Sequence, residues 1–494
     1  MHARARMSSA ARGGLRLGAW LVSFALASAC HHDGSRSRSA GDTGDEPSRA
    51  PERERPAADA QPTDAQPADT QAQSEAPRRP YKPPSTLGAP IEHRLAKRTR
   101  LVYAEPSTDA ARRGRIPARE TFAVYATSEG PDCRARWAQV ADAGWACLDR
   151  TEPSEQAPRA LPELAEDALL PFIYVRHRDH EREGTPALPV YRSLRQYNAG
   201  EAPVDERPAY GSYAFVRTKY NRGAPVLVDD RRRVVPAEGL EEFEPSEFSG
   251  RDLVAAPVPA GLTLAWAVRW KTEIRERPDP DAPAVGRVRY HDTVYLRAAD
   301  GQAQADAEWF EVAPDHGSPA GWLSAEDIRR LLPQGPDTEA PILAGQLLLD
   351  IDLDQQVLTI WREDQPIFAT LISSGRAGDR TPLGLYRVET KWAYGKMASL
   401  PSADDPYYVE AVPWTMYFDG RYALHASYWH NLFGHRASHG CINLSPRDAR
   451  RVFELATPAL PPGWLIVHEH AADPGALVRV RRGDRPVPDR RPPL

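Results

Sequence analysis

Short runs of apolar residues, many of them β-branched or aromatic, recur along the chain between polar segments. Runs of this kind, separated by polar turns, are typical of β-strands. They lie at residues 101–104, 121–125, 172–175, 213–216 and 225–228. The pattern predicts a mostly β protein.

Two stretches, residues 93–155 and 260–333, repeat one order of elements: strand, turn, strand, a Trp-x-x-Val run and a closing Gly-Trp-hydrophobic run. This order resembles that of bacterial SH3-like modules, which are small β-barrels. The resemblance implies contact with cell-wall peptides, although a spacer role with the tryptophans in the core fits the pattern equally well. Residues 165–250 carry further β-type runs and are either a degenerate third module or an insert of another kind.

The last third of the chain is its most strongly β part, and residues 340–470 are expected to form one domain. Strands are predicted at residues 347–352, 356–361 and 367–372, which are rich in large aliphatic side chains. Two further apolar runs meet at Asp419-Gly420, a pair that suits a hairpin turn.

A helix is predicted after these strands, because Ser445 is a good N-cap and Pro446 suits the first turn. The residues beyond it, 471–494, are rich in Arg and Pro. They are expected to form a flexible tail.

The first 29 residues have the three parts of an export signal: arginines, a short apolar run from Leu17, and small residues before Cys30. The apolar run is too short to span a bilayer, which takes about 20 residues. Small residues before a cysteine resemble a lipobox, and Cys30 would then be the lipidated first mature residue. Cleavage after Ala29 by ordinary signal peptidase and an uncleaved anchor are the alternatives. The protein is therefore expected in the periplasm or cell envelope, held to the membrane by a lipid at Cys30.

Composition supports a tether between this signal and the folded part. Residues 30–92 are rich in Pro and Ala and have almost no large apolar side chain, so they are expected to be disordered. The net charge of −5 argues against a general nucleic-acid binder. Four cysteines are too few for a disulfide-dense scaffold. Cys133 and Cys147 are expected to form a disulfide in an exported protein, with two free thiols as the alternative.

Reactive side chains are concentrated around one cysteine. Cys441 follows His439-Gly440, and His425, His430 and His435 precede it closely. An imidazole that accepts the thiol proton leaves a thiolate nucleophile, and a glycine before the cysteine lets backbone amides converge on an oxyanion. A zinc site and an inert buried cysteine are the alternatives. The sequence contains neither Cys-x-x-Cys nor His-Glu-x-x-His, which favours the nucleophile.

These residues resemble the signature of the YkuD-type L,D-transpeptidases. The resemblance rests on Ser438-His439-Gly440-Cys441-Ile442-Asn443 with a histidine sixteen residues before the cysteine, on Ser373-Ser374-Gly375 and on Thr381-Pro382-Leu383-Gly384. It implies a β-sandwich catalytic domain, peptidoglycan stem peptides as the substrate, and no cofactor or metal.

Applied residue by residue, the resemblance implies that Cys441 is the nucleophile, His425 the general base and His439 a supporting residue. The backbone at Gly440 would belong to an oxyanion hole. Four further residues are expected at the substrate: Ser438, Asn443, Arg436 and Tyr417.

Some positions near the signature are less defined. Ala426 stands where relatives often have Gly or Ser, so its backbone carbonyl is expected to orient His425. Arg436 is equally well explained as a solvated charge. His430 and His435 are expected to be exposed loop residues.

The implied reaction has two halves. Cys441 attacks the L-centre carbonyl of diaminopimelate in a donor tetrapeptide and releases D-Ala, and an amine then receives the acyl group in a 3→3 cross-link or in protein anchoring. An L,D-carboxypeptidase of the same family and a non-catalytic peptidoglycan-binding lipoprotein are the alternatives. The residues between Lys391 and Val412 are expected to shape acceptor access, and the protein is expected to be a monomer.

Overall fold

The computed structural model describes residues 87–182, 184–297, 307–336, 345–400 and 406–491. The export signal, Cys30 and most of the tether at residues 30–92 lie outside the described residues. The described chain is mostly β, which confirms the predicted fold class. None of the helices in these described residues combines the length and the apolar composition that crossing a membrane requires.

The first module is a small unit of eight strands. These are β1 (Glu92–Ala96), β2 (Arg100–Tyr103), β3 (Arg112–Ile116), β4 (Thr121–Val124), β5 (Ala126–Ser128), β6 (Trp137–Ala141), β7 (Gly144–Cys147) and β8 (Thr151–Ser154). Strands β4, β1 and β8 form one sheet, and β3, β2, β7, β6 and β5 belong to another. Val102, Ile116 and Phe122 lie in its core. A disulfide joins Cys133 to Cys147.

The middle region follows, with short strands and one short helix. The elements are β9 (Ile173–His177), β10 (Leu188–Val190), α1 (Leu194–Asn198), β11 (Asp205–Arg207), β12 (Ser212–Phe215), β13 (Arg217–Asn221), β14 (Ala224–Val228), β15 (Val234–Pro236), β16 (Leu240–Glu242) and β17 (Arg251–Asp252). Strand β9 pairs with β12 on one side and β16 on the other. Val190, Tyr213, Phe215 and Val235 are buried in its core.

The second module is a sheet of seven strands. They are β18 (Leu262–Ala267), β19 (Thr272–Arg275), β20 (Ala284–Val288), β21 (Thr293–Arg297), β22 (Trp309–Val312), β23 (Gly321–Ser324) and β24 (Ile328–Arg330). Their order in the sheet is β20-β19-β23-β22-β21-β18-β24. Ile274, Leu296, Phe310 and Leu323 form its core.

The last part of the chain is a two-layer β-sandwich with one helix. Its elements are β25 (Leu347–Asp352), β26 (Val357–Arg362), β27 (Gln365–Leu371), β28 (Gly384–Arg387), β29 (Thr390–Ala398), β30 (Tyr408–Asp419), β31 (Tyr422–Ala426), β32 (Ile442–Leu444), α2 (Pro446–Leu455), β33 (Ile466–His468) and β34 (Leu477–Arg481). One sheet has the order β17-β27-β26-β25-β34-β28, and the other contains β29 to β32. Side chains such as Leu349, Phe368, Met416 and Leu424 pack together in a common core.

Helix α2 begins where the sequence predicts. The Ser445 hydroxyl accepts a hydrogen bond from the backbone N–H of Asp448, and Pro446 occupies the first turn. Ala449 and Val452 on its inner face join the core of the sandwich. The helix therefore supports the strands that carry the reactive residues.

The C-terminal residues correct the expectation of a flexible tail at residues 471–494. Strand β34 pairs with β25 in parallel and with β28 in antiparallel, and all five of its residues are buried. Arg479 and Arg481 lie 2.6 Å and 2.9 Å from the carboxylate of Asp350. Arginines that resemble a solvated tail in the sequence are thus neutralised by an aspartate of the neighbouring strand.

One sheet continues through three of these units. Strand β12 of the middle region pairs with β30, and β33 pairs with both β29 and β3 of the first module. Trp464, close before β33, is buried in the core of the first module. Gly114 permits this contact, because a Cβ there would lie 2.2 Å from the carbonyl oxygen of Ile466. The first module and the middle region are therefore joined to the sandwich by backbone hydrogen bonds.

Candidate active site

Two adjacent parallel strands bring the predicted nucleophile and base to one place. Strand β31 carries His425, and β32 begins directly after Cys441, with His425 opposite Asn443 in the register. His425 is 2% exposed, whereas Cys441 is partly exposed. Both side chains line a cavity of about 280 Å³. The fold thus places a thiol and an imidazole at the same cavity.

The imidazole of His425 is held in one tautomer. Its Nδ1 lies 3.0 Å from the backbone carbonyl oxygen of Ala426. Because a carbonyl only accepts, Nδ1 carries the proton and Nε2 is left as the acceptor. Burial lowers the pKa of His425 to about 4, and the bond to Ala426 opposes this effect only in part. The ring is therefore neutral at ordinary pH, and the contact agrees with the orienting role expected of the Ala426 carbonyl.

Cys441 rests as a thiol. Its Sγ lies 3.7 Å from the carbonyl oxygen of Arg421, to which the thiol can donate. The loss of hydration raises the pKa of Cys441, while the N–H of Ala423 and the charge of Arg421 oppose that rise. A thiolate at this position consequently needs a proton acceptor, and His425 is the neutral base on the neighbouring strand.

A tight turn fixes the backbone around the cysteine. The Ser438 hydroxyl donates to the carbonyl of Cys441 at 2.5 Å and accepts from the N–H of Gly440 at 3.1 Å. Gly440 has a φ of 109°, and a Cβ there would lie 2.6 Å from the ring of Tyr422. The Thr381 hydroxyl donates to the Gly440 carbonyl at 2.8 Å. The signature residues and the upstream Thr-Pro-Leu-Gly run therefore meet in one structure.

This part of the chain also matches a known family. Residues 346–480 match the family model of the L,D-transpeptidase catalytic domain, YkuD. Residues 346–480 are a YkuD-type catalytic domain. The match covers about a quarter of the chain and leaves both modules and the middle region outside it.

Solved structures similar to the chain include several L,D-transpeptidases. A cysteine-to-serine variant from Enterococcus faecium has 22% identity and a TM-score of 0.22 over 28% of this chain and 50% of that one. The Stackebrandtia nassauensis protein has 23% identity and a TM-score of 0.21, and the match covers 31% of this chain and 60% of that one. The Xylanimonas cellulosilytica protein has 21% identity and a TM-score of 0.21, and the match covers 30% of this chain and 64% of that one. The chain thus spans less than two thirds of each of these structures, and no curated protein matches it.

In the YkuD domain, His439 lies between a cation and an aromatic ring. A terminal nitrogen of Arg376 donates to His439 Nε2 at 2.7 Å, and Asp379 pairs with the same guanidinium at 2.9 Å. The ring of Tyr407 stacks on His439 with a centroid distance of 4.8 Å. These two contacts fix the ring of His439, which forms part of the cavity wall.

His430 and Asn443 form a pair that the sequence did not indicate. The side-chain amide of Asn443 lies 2.9 Å from Nε2 of His430. Burial, with a contribution from His425, lowers the pKa of His430 to about 4. The other end of the Asn443 amide is buried and has no hydrogen-bond partner in the part of the protein that the structure describes. His430 is thus a partly buried partner of Asn443, which corrects the expectation of an exposed loop residue.

The second module holds the loop that joins the two strands of the YkuD domain. His435 Nε2 lies 2.8 Å from the carbonyl oxygen of Val268, and Arg329 Nε donates to the carbonyl of Gly434 at 2.9 Å. His435 is therefore half-buried against the module, again in contrast to the exposed position expected. These two contacts hold the loop against the second module.

The middle region supplies a wall of the same cavity. Arg176, His180, Tyr210, Ser212 and Phe243 line it together with Cys441 and His425. No motif in the sequence marks these five residues. They lie beside the YkuD domain because β12 pairs with β30 and Tyr174 donates to the carbonyl of Ala411, long-range contacts that the local sequence pattern cannot reveal.

Two residues expected at the substrate have other contacts. Arg436 donates to the carbonyl of Leu353 at 2.9 Å and to the carboxylate of Asp354 at 3.3 Å. Tyr417 packs edge-to-face against Trp392 with a centroid distance of 5.7 Å. Neither is among the described residues that line the cavity, whereas Ser438, His439 and Asn443 are.

A potential metal-ligand group lies elsewhere in the molecule. Among the described residues, Cys133, Cys147 and Asp149 are the one set of three such side chains whose ligand atoms lie close together. Both sulfurs belong to the disulfide of the first module and are not available as thiolate ligands.

Proposed function

We propose that the protein is an exported cysteine L,D-transpeptidase that acts on peptidoglycan stem peptides. The observation that carries this proposal is the placement of His425 and Cys441 at one cavity, with His425 Nδ1 bound to the Ala426 carbonyl. The YkuD match supports this reaction class. The signal-like residues 1–29 support work outside the cytoplasm, where such a substrate lies.

In the first half-reaction, His425 Nε2 accepts the thiol proton and Cys441 Sγ attacks the L-centre carbonyl of the donor diaminopimelate. The resulting oxyanion needs backbone donors. Since the Gly440 N–H is bound to Ser438 in the resting protein, we assign this role first to the N–H of Cys441. Collapse breaks the carbon–nitrogen bond, the D-Ala nitrogen takes the proton from His425, and a thioester remains.

In the second half-reaction, an amine attacks the thioester carbonyl. The amine loses a proton to His425, the new amide forms, and Cys441 departs as a thiolate that regains the proton. A second stem as acceptor gives a 3→3 cross-link, and a lysine of a protein gives an anchored protein. The same two residues serve both acceptors, because each presents only an amine to the thioester.

The test is incubation of the purified protein with disaccharide-tetrapeptide, followed by mass spectrometry. We expect a dimer that lacks one D-Ala, which Cys441→Ala and His425→Gln abolish. His93→Gln, a histidine of the first module outside the cavity, is the control and should retain the product. Tripeptide alone would assign an L,D-carboxypeptidase, and unchanged substrate with a folded protein would favour a non-catalytic binding role.

A further inference from the structure

The cavity at Cys441 has one fixed positive charge, and the middle region supplies it. Among the described lining residues, Arg176 is the one Arg or Lys, and none is Asp or Glu. Burial keeps His425 neutral in the same cavity. The lining therefore offers a bound molecule one cation and no anion, and the Glu241 that pairs with Arg176 lies outside the lining.

Strand pairing places Arg176 firmly at this wall. In the register, Arg176 lies between Glu241 and Ser212, and Ser212 in turn lies opposite Val409 of β30. Arg176, Ser212 and Val409 all line the cavity. The position of Arg176 relative to the YkuD domain is thus set by backbone hydrogen bonds across adjacent strands.

The guanidinium itself is oriented by its neighbours. Its Nε donates to the carboxylate of Glu241 at 2.5 Å, and its carbon lies 5.2 Å from the centre of the Phe243 ring. One terminal nitrogen is 3.5 Å from His180 Nε2, a weak contact. The side chain of Arg176 remains 38% exposed. The two terminal nitrogens can therefore form a forked pair of hydrogen bonds with a carboxylate, the geometry in which arginine binds it best.

We propose that Arg176 is a substrate-anchoring residue that binds a free carboxylate of the donor peptide while its reacting carbonyl faces Cys441. This inference rests on the proposed function, since a stem peptide carries free carboxylates besides the reacting carbonyl. The middle region then determines which donor the YkuD domain accepts. The alternative, a purely structural Arg176–Glu241 ion pair, is an outcome of the test.

The experiment measures peptide binding without turnover. In the full chain carrying Cys441→Ala, calorimetry compares the tetrapeptide with analogues in which each free carboxylate is amidated in turn. Arg176→Gln should weaken binding of the free tetrapeptide about tenfold. Amidation of one carboxylate should weaken binding to the parent chain by the same factor, and Arg176→Gln should not weaken binding of that analogue further. Arg176→Lys keeps the charge but cannot form the forked pair of hydrogen bonds, so its affinity for the free tetrapeptide should be intermediate. Arg178→Gln, an exposed arginine just beyond β9 and outside the lining, should bind normally.

The outcomes separate this inference from the proposed function. With Cys441 intact, Arg176→Gln should raise KM about tenfold and change kcat little, because Arg176 contacts the substrate and not the reacting atoms. If Arg176→Gln weakens the binding of every analogue equally, or of none, Arg176 belongs to a structural ion pair and the inference is overturned. Turnover of the tetrapeptide in that case still supports the proposed function. A parent protein that neither binds nor converts the tetrapeptide overturns both.

Discussion

The surroundings of His425 keep its imidazole neutral and leave Nε2 as the acceptor. Burial removes the water that would stabilise an imidazolium, and the Ala426 carbonyl fixes the proton on Nδ1. A free histidine would be half protonated near pH 6.5. His425, with its pKa lowered to about 4, remains an acceptor well below that pH.

The lowered pKa of His425 predicts how the reaction rate falls at acid pH. Protonation removes the acceptor, so kcat/KM for the tetrapeptide should stay level from about pH 6 down to pH 5 and fall by half near pH 4. A pH–rate profile checks this, with the rate of Cys441 alkylation by iodoacetamide as a second readout. A half-loss near pH 6.5 would show that His425 is hydrated, or is not the base.

Ser438 acts on the cysteine through the backbone. Ser438→Ala leaves the buried N–H of Gly440 without its acceptor, which should lower the free energy of unfolding by about 1–3 kcal/mol. Because Cys441 loses its fixed position, kcat should fall about ten- to a hundredfold. Thermal unfolding and steady-state rates measure the two effects, and Ser128→Ala on the first module is the control. Wild-type rates in the Ser438 variant would exclude the positioning role.

At the scale of elements, the sequence was most informative where the residues of a single strand form a recognisable apolar pattern. Residues 347–352 form β25 with the predicted bounds, because every second side chain faces the sandwich core. Strand β34 was missed, since Arg479 and Arg481 alternate with valines and are neutralised only by Asp350, far away in sequence. A charge whose partner lies on a distant strand cannot be recognised as buried from its own neighbourhood.

Strand β34 gives a sharp test of the domain boundary. A chain that ends at His470 loses the buried side chains of Leu477, Val478 and Val480, each worth about 1.5–3 kcal/mol. With the Asp350 charge left unpaired as well, the loss is comparable to the whole stability of a domain, about 5–15 kcal/mol. The truncated protein should be insoluble or unfolded by circular dichroism, whereas a chain that ends at Arg491 should fold normally. A folded, active protein that ends at His470 would restore the flexible-tail interpretation.

The loop held by the second module offers another test at this scale. Arg329→Ala removes the donor to the Gly434 carbonyl and should lower kcat several-fold with KM nearly unchanged, because the loop connects the strands of His425 and Cys441. Hydrogen exchange in residues 430–441 should rise at the same time. Arg269→Ala is the matched control, since this exposed arginine of the same module pairs with Glu326 instead. Equal behaviour of the two variants would make the second module a passive neighbour.

At the scale of the whole molecule, the sequence did not indicate how the parts of the chain are joined. Of the residues expected at the site, His425, Ser438, His439, Cys441 and Asn443 line the cavity, whereas Arg436 and Tyr417 do not. Arg176 could not be assigned to it, because its place depends on the pairing of β12 with β30 between residues nearly two hundred positions apart. Local patterns report which residues form strands, and they do not report which strands become neighbours.

The continuous sheet should make the first module and the YkuD domain unfold together. Trp464 lies in the YkuD-matched part of the chain and in the core of the first module. Trp464→Ala should therefore cost about 3–5 kcal/mol and lower one shared transition, seen alike by near-UV circular dichroism and by loss of activity. Trp270→Ala, at a tryptophan that is 76% exposed on the second module, should leave that transition in place. Two transitions, with activity outlasting the first module, would mean that pairing of β3 with β33 does not couple the units.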